Sequence, residues 1–232
     1  MNAVLAVSLL GGLLSLEHRA ELKFMVSQPV CSGLLTGLVL GSPAAGLFIG
    51  AMFQVMFLGF VPIRGEGVPD LPIGGVAASA YYILSVQRFG GGPALEGIIL
   101  FCALLFGLAI SLLGYGLYRF WEKRTWTFFE VAMASAMAGR FRYAKAIHLM
   151  VLVFHFFYGF LVLLVLLPAG TAIIAFVAAR VGVEPGGSLN ALQYLVPFIG
   201  AGSLARLYFA RTRAFWFGAG FLVTYLFFIV RS

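Results

Sequence analysis

At 232 residues, 62% hydrophobic and only 10% charged, the chain is too apolar for a water-soluble domain, in which roughly a quarter of residues are charged. At about 20 apolar residues per crossing, it holds about six to eight transmembrane or re-entrant helices and no sizeable soluble domain. Fifteen Lys and Arg against eight Asp and Glu leave a net charge of +7, which in so apolar a chain points to basic cytoplasmic loops and away from nucleic acid.

Ala3 to Leu16 is apolar, with no basic residue before it and no small-residue cleavage site after it; it reads as a first membrane helix and not as a signal peptide. The segment Gln28 to Ser85 has a different texture. Its apolar pieces are shorter than a crossing and are interrupted by Pro29, Gly33, Gly37, Gly41, Pro43, Gly46, Gly50 and Gly59. Broken backbone at membrane depth persists only when buried in protein or lining a wet cavity, and such segments mark transporter binding sites. Close helix packing through small residues is the competing explanation and accounts for about half of these glycines.

Ile98 to Tyr118 carries no charge and is closed by Arg119, Trp121, Glu122, Lys123 and Arg124, so it reads as a full crossing. The stretch from Arg119 to Lys145 is the most basic in the chain and belongs on the cytoplasmic side. Within it, Thr125 to Gly139 has the mixed character of a short helix lying on the membrane surface. Ile147 to Leu167 is a second long span, expected to end at Pro168, with Thr171 to Ala179 too short to cross alone unless it is continuous with that span. Leu189 to Leu204 and Phe215 to Val230 complete the chain as short spans. Runs such as Leu161 to Leu167 are apolar at every position, which excludes the alternation of a β-barrel. The expected fold is a single all-α polytopic membrane domain over 1–232, with broken helices in 1–118, a basic cytoplasmic loop over 119–146 and C-terminal helices over 147–232.

Several stretches occur in the order of a known family: Ser27-Gln28-Pro29, Gly33 to Gly41 (GLLTGLVLG), Gly46 to Gly59 (GLFIGAMFQVMFLG), and Val61-Pro62-Ile63 leading to Pro69-Asp70. Together they resemble the IIC subunit of the mannose/fructose/sorbose family of the sugar phosphotransferase system. Ala138 to Gly159, and more weakly Tyr194 to Phe221, are similar to later parts of that family. The sequence departs from it at Ser42, where the family has a turn Asp, at Gln54, where Glu is frequent, and at Arg64 and Glu66 in a loop that is usually uncharged. The resemblance implies a multi-pass subunit of the bacterial inner membrane that pairs with a IID membrane subunit to bind and translocate a hexose. It also implies re-entrant hairpins, trimers of heterodimers, and separate IIA and IIB phosphocarrier proteins that perform the phosphoryl transfer. The chain would then be no enzyme on its own and would need no cofactor. The alternative is a non-transporting membrane anchor or regulatory subunit that docks phosphotransfer proteins on the basic loop.

Gln54 is the leading candidate for contact with substrate, since its amide offers two donors and an acceptor to sugar hydroxyls; a hydrogen bond between helices is the plainer role. Asp70, an acceptor-only group when ionised, suits a polyol equally well and could instead structure its own loop. Gln28 carries the same ambiguity. Arg64 and Glu66 could pair with each other or with Asp70 to shape the site, or form an ordinary solvated loop pair. His148 and His155 share a helix face without a third ligand, and Cys31 and Cys102 are isolated, so all four read as packing residues and no metal site is expected. No nucleophile elbow or phosphate-binding glycine loop is present.

Overall fold

A computed structural model describes residues 2–19, 24–59, 69–90, 92–180 and 192–208. Among the described residues the chain forms seven helices and no strand: α1 (Asn2–Arg19), α2 (Pro29–Val39), α3 (Pro43–Met56), α4 (Leu71–Phe89), α5 (Pro93–Met137), α6 (Phe141–Arg180) and α7 (Leu192–Tyr208). Four of them, α2 to α5, open with a proline in the first turn. There the missing N–H would have had no helical partner, so these prolines set helix starts instead of breaking helices.

Helices α2 and α3 have 11 and 14 residues, about 16 and 21 Å at 1.5 Å per residue, and neither reaches across a bilayer core of about 30 Å. They pack against each other as a hairpin, turned at Leu40 to Ser42. Gly41 takes a φ of +74° at the turn, a conformation that side-chain-bearing residues rarely adopt. The two backbones are in direct contact through glycine: a Cβ on Gly33 would lie 2.5 Å from the Gly46 carbonyl oxygen and 2.7 Å from the Gly50 Cα. In a membrane, where apolar burial gives helices no reason to associate, such close approach is what holds them together.

Helix α4 is the axial element. Every residue from Pro72 to Tyr81 is buried, and the small side chains of Gly74, Gly75, Ala77 and Ala78 let α2, α3 and α5 approach it on different sides. Helix α1 lies antiparallel to α6, with Gly11 against Leu163, Gly12 against Phe156 and Gly159 against Ser15. Helix α7 meets the end of α3, where the Gly59 N–H donates to Ser203 Oγ at 3.0 Å.

Two differences from the sequence reading stand out. Ile98 to Tyr118 does not end at its basic edge but continues as the 45-residue α5 through the segment expected to be a separate surface helix. The break falls at Ala138 to Arg140, where Gly139 has a φ of +74°. At about 67 Å, α5 is more than twice the thickness of the bilayer core, so its C-terminal part projects from the membrane. Nor does Pro168 end its helix: α6 runs unbroken for 40 residues. Pro168 removes the N–H that would meet the Leu164 carbonyl, and the helix continues past that one missing bond; further along, the Tyr81 hydroxyl reaches Leu166 O at 2.7 Å and the Thr171 hydroxyl lies 2.9 Å from both Leu167 O and Pro168 O.

Candidate functional site

Three helix ends converge: the start of α2, the end of α3 and the start of α4. The hairpin brings the first two together, since its arms share one open end. Helix α4 joins them because Gly75 leaves room for Pro29, which a Cβ would meet at 3.1 Å. The Asp70 N–H donates to Ser111 O at 3.0 Å, and Ser111 sits inside the apolar stretch Leu95–Trp121 of α5. Helix α4 therefore begins at membrane depth, where its unsatisfied N–H groups and those of α2 must be met by protein or by ligand.

Gln54 meets one of them. Its Oε1 accepts from the Val30 N–H at 3.1 Å, so a side chain of α3 caps α2. The interhelical role weighed from sequence is thus present. It engages only the oxygen: among the described residues the Nε2 donors have no partner. Gln28 is the N-cap residue of α2, is half-buried, and makes no capping bond with its side chain.

Asp70 is 3% exposed. Its Oδ1 lies 3.5 Å from the Ile73 N–H, capping α4, and its Oδ2 is 3.1 Å from the Tyr158 hydroxyl. That hydroxyl is also 2.9 Å from Gly114 O. One carboxylate therefore ties α4 to α6 while the backbone of the same residue is bonded to α5. Close contact requires glycine at 114, where a Cβ would fall 2.9 Å from both the Asp70 Cβ and the Tyr158 hydroxyl.

The structure thus brings Gln28 and Gln54 together at the base of the hairpin and places Asp70 at the neighbouring start of α4, turned toward α5 and α6. Glu66 and Arg64 lie outside the described residues. Tyr158, Ser111 and Gly114 belong to this site and were not singled out from sequence. Tyr158 had a signal, because a phenol in an apolar helix needs a hydrogen-bond partner. The Ser111 hydroxyl is buried beside Asp70 and has no hydrogen-bond partner among the described residues. His155 is 8% exposed and lies edge-on to Phe154. Among the described residues no group of three or more His, Cys, Asp or Glu is placed to hold a metal ion.

Short helices meeting end to end inside a bundle of long apolar ones, with carboxylate, amide and hydroxyl groups at the junction, define an all-α integral membrane protein of the broken-helix transporter type. The comparisons with known proteins make the class specific. The family model described as the PTS system sorbose-specific IIC component matches residues 1–230, and the chain belongs to that family. It is therefore a membrane subunit of a sugar phosphotransferase system. Among solved structures it is similar to one titled only as a membrane protein, with 18% identity, a TM-score of 0.74, and coverage of 97% of this chain and 86% of the other. It is also similar to a chain of the complex of the mannose transporter ManYZ with microcin E492, again at 18% identity, with a TM-score of 0.58 and coverage of 96% and 85%. At these identities the likeness is one of fold. No curated protein sequence matches the chain.

Proposed function

We propose that the chain binds and translocates a hexose as the permease subunit of its phosphotransferase system, in the bacterial inner membrane, together with a IID subunit. IIA and IIB proteins on the cytoplasmic side phosphorylate the sugar as it emerges, which makes uptake irreversible. The site is the junction of the three helix ends, with Gln54, Asp70 and Gln28, and with Glu66, which lies outside the described residues, as a further candidate.

One observation carries this reading: α2 and α4 begin at membrane depth beside an amide whose donors have no partner among the described residues. Backbone ended inside a bilayer is costly unless polar groups meet it, and a polyol supplies many donors and acceptors in a small volume. A sugar hydroxyl would accept from Gln54 Nε2 while Oε1 continues to cap Val30.

The test is uptake of radiolabelled hexose by cells carrying the complete system. Gln54→Ala removes the amide that would meet the sugar, together with the oxygen that accepts from the Val30 N–H. Uptake should fall about tenfold or more, in line with one lost directional contact to a buried polar group, while the amount of protein in the membrane stays constant. Undiminished uptake in Gln54→Ala and in Asp70→Ala would remove the site. Binding of IIA or IIB without any hexose uptake by the wild-type system would favour the anchor reading instead.

A further inference from the structure

A second polar feature lies at the other end of α4, away from the junction. A cleft of about 210 Å³ is bounded by the first turn of α1 at Ala3 and Val4, the last turns of α4 at Ser85 and Arg88, and Thr171 of α6. Ser85 is 1% exposed and its hydroxyl has no hydrogen-bond partner among the described residues. A buried hydroxyl left unmet in this way costs about 1–3 kcal/mol. The Arg88 guanidinium lies 5.4 Å from the centroid of the Phe89 ring and forms no ion pair among the described residues. The opening turn of the 18-residue α1 has no acidic residue to offset its positive end, and the first N–H groups of a helix lack acceptors within it. Thr171 is a wall only, because its proton is engaged with the α6 carbonyls.

Among the described residues, three kinds of donor thus border one cleft: a guanidinium, a buried hydroxyl and a helix start. That set matches a phosphate oxygen cluster. The surroundings are apolar. Leu84 and Phe89 line the cleft, and beside it Leu5, Leu9 and Leu13 form an exposed stripe, 44%, 43% and 57% accessible, at the i, i+4, i+8 spacing of one α1 face.

We propose that this cleft binds the phosphodiester head group of a membrane phospholipid, with Arg88 and Ser85 donating to the phosphate and an acyl chain lying along Leu5, Leu9 and Leu13. It is separate from the sugar site and stands or falls without it. The cleft lies at the end of α4 opposite the start at Asp70, so the lipid would pin α1, α4 and α6 together at that face of the bundle.

The experiment is thermal unfolding of the full chain in detergent, titrated separately with phosphatidylglycerol, diacylglycerol and inorganic phosphate. Phosphatidylglycerol should raise the melting temperature by about 5 °C near saturation, and the other two should leave it unchanged. Arg88→Gln should weaken the titration midpoint about tenfold or more, and Ser85→Ala about fivefold. Without lipid, Ser85→Ala should melt at or above the wild-type temperature, because its hydroxyl has no internal partner to lose. An equal rise with diacylglycerol would reduce the cleft to an apolar groove, and an equal rise with phosphate would make it a site for free anions; either overturns the assignment. So would an unchanged midpoint in both variants, or a lipid-free loss of several degrees in Ser85→Ala. If Arg88→Gln does not fold, Ser85→Ala decides alone.

Discussion

Gly33→Ala probes the contact on which the junction depends. The added Cβ would lie 2.5 Å from Gly46 O, 2.7 Å from Gly50 Cα and 3.0 Å from Gly50 N, against an ordinary contact distance of 3.4 Å or more. All three are backbone atoms of α3, so no side chain can swing aside, and the arms must separate locally by about 0.9 Å. Val30 lies one turn before Gly33 and Gln54 one turn after Gly50, so the same opening would stretch their 3.1 Å hydrogen bond to about 4 Å, beyond useful range. Overpacking costs about 1–3 kcal/mol and loss of the cap about 1 more. The better helix propensity of Ala returns about 1 kcal/mol. The net loss of roughly 1–3 kcal/mol corresponds to about 3–10 °C in the melting temperature of the purified protein, and hexose uptake should fall with it. Gly116→Ala is the control, since a Cβ there meets nothing within 4 Å; it should be neutral or slightly stabilising. Equal melting temperatures for Gly33→Ala and Gly116→Ala would refute the argument that backbone contact holds the hairpin.

Tyr158→Phe removes the hydroxyl that lies 3.1 Å from Asp70 Oδ2 and 2.9 Å from Gly114 O. With the carboxylate 3% exposed, the cost should be about 1.5–3 kcal/mol, read as a lower melting temperature in detergent. Tyr81→Phe deletes the donor to Leu166 O near the α6 proline and should cost about 1 kcal/mol in the same assay. Gly170→Ala should be worse, because the new Cβ would overlap the Tyr81 ring. A membrane-permeant maleimide should label exposed Cys31 in the folded, purified chain and reach buried Cys102 only after denaturation, as mass spectrometry would show; equal labelling of both would contradict the packing of α5 against α4.

Much of the architecture was legible because membrane insertion is decided locally. Residue polarity and run length alone separate a crossing from a broken segment, and Pro29, Gly41 and Pro43 mark the hairpin's start and turn by rules that hold without neighbours. The two misplaced boundaries were of another kind. The basic residues after Tyr118 set where α5 leaves the apolar phase, which a helix can do without ending. Pro168 lacks its own N–H, but one missing bond does not end a helix whose flanking turns are held in the bundle, and only the fold supplies that packing.

The candidate site divides in the same way. From sequence, Gln54 and Asp70 were chosen because polar groups in an apolar setting must meet something. What each meets was decided by contacts across 24 and 88 residues of chain, a separation over which neither composition nor spacing carries information. Polarity and chain breaks are properties of single residues and short runs, so the sequence by itself determined a helical membrane protein with an interrupted first third. Which glycine touches which backbone, which amide caps α2 and which phenol holds Asp70 depend on helices meeting in space, and only the tertiary structure decided them.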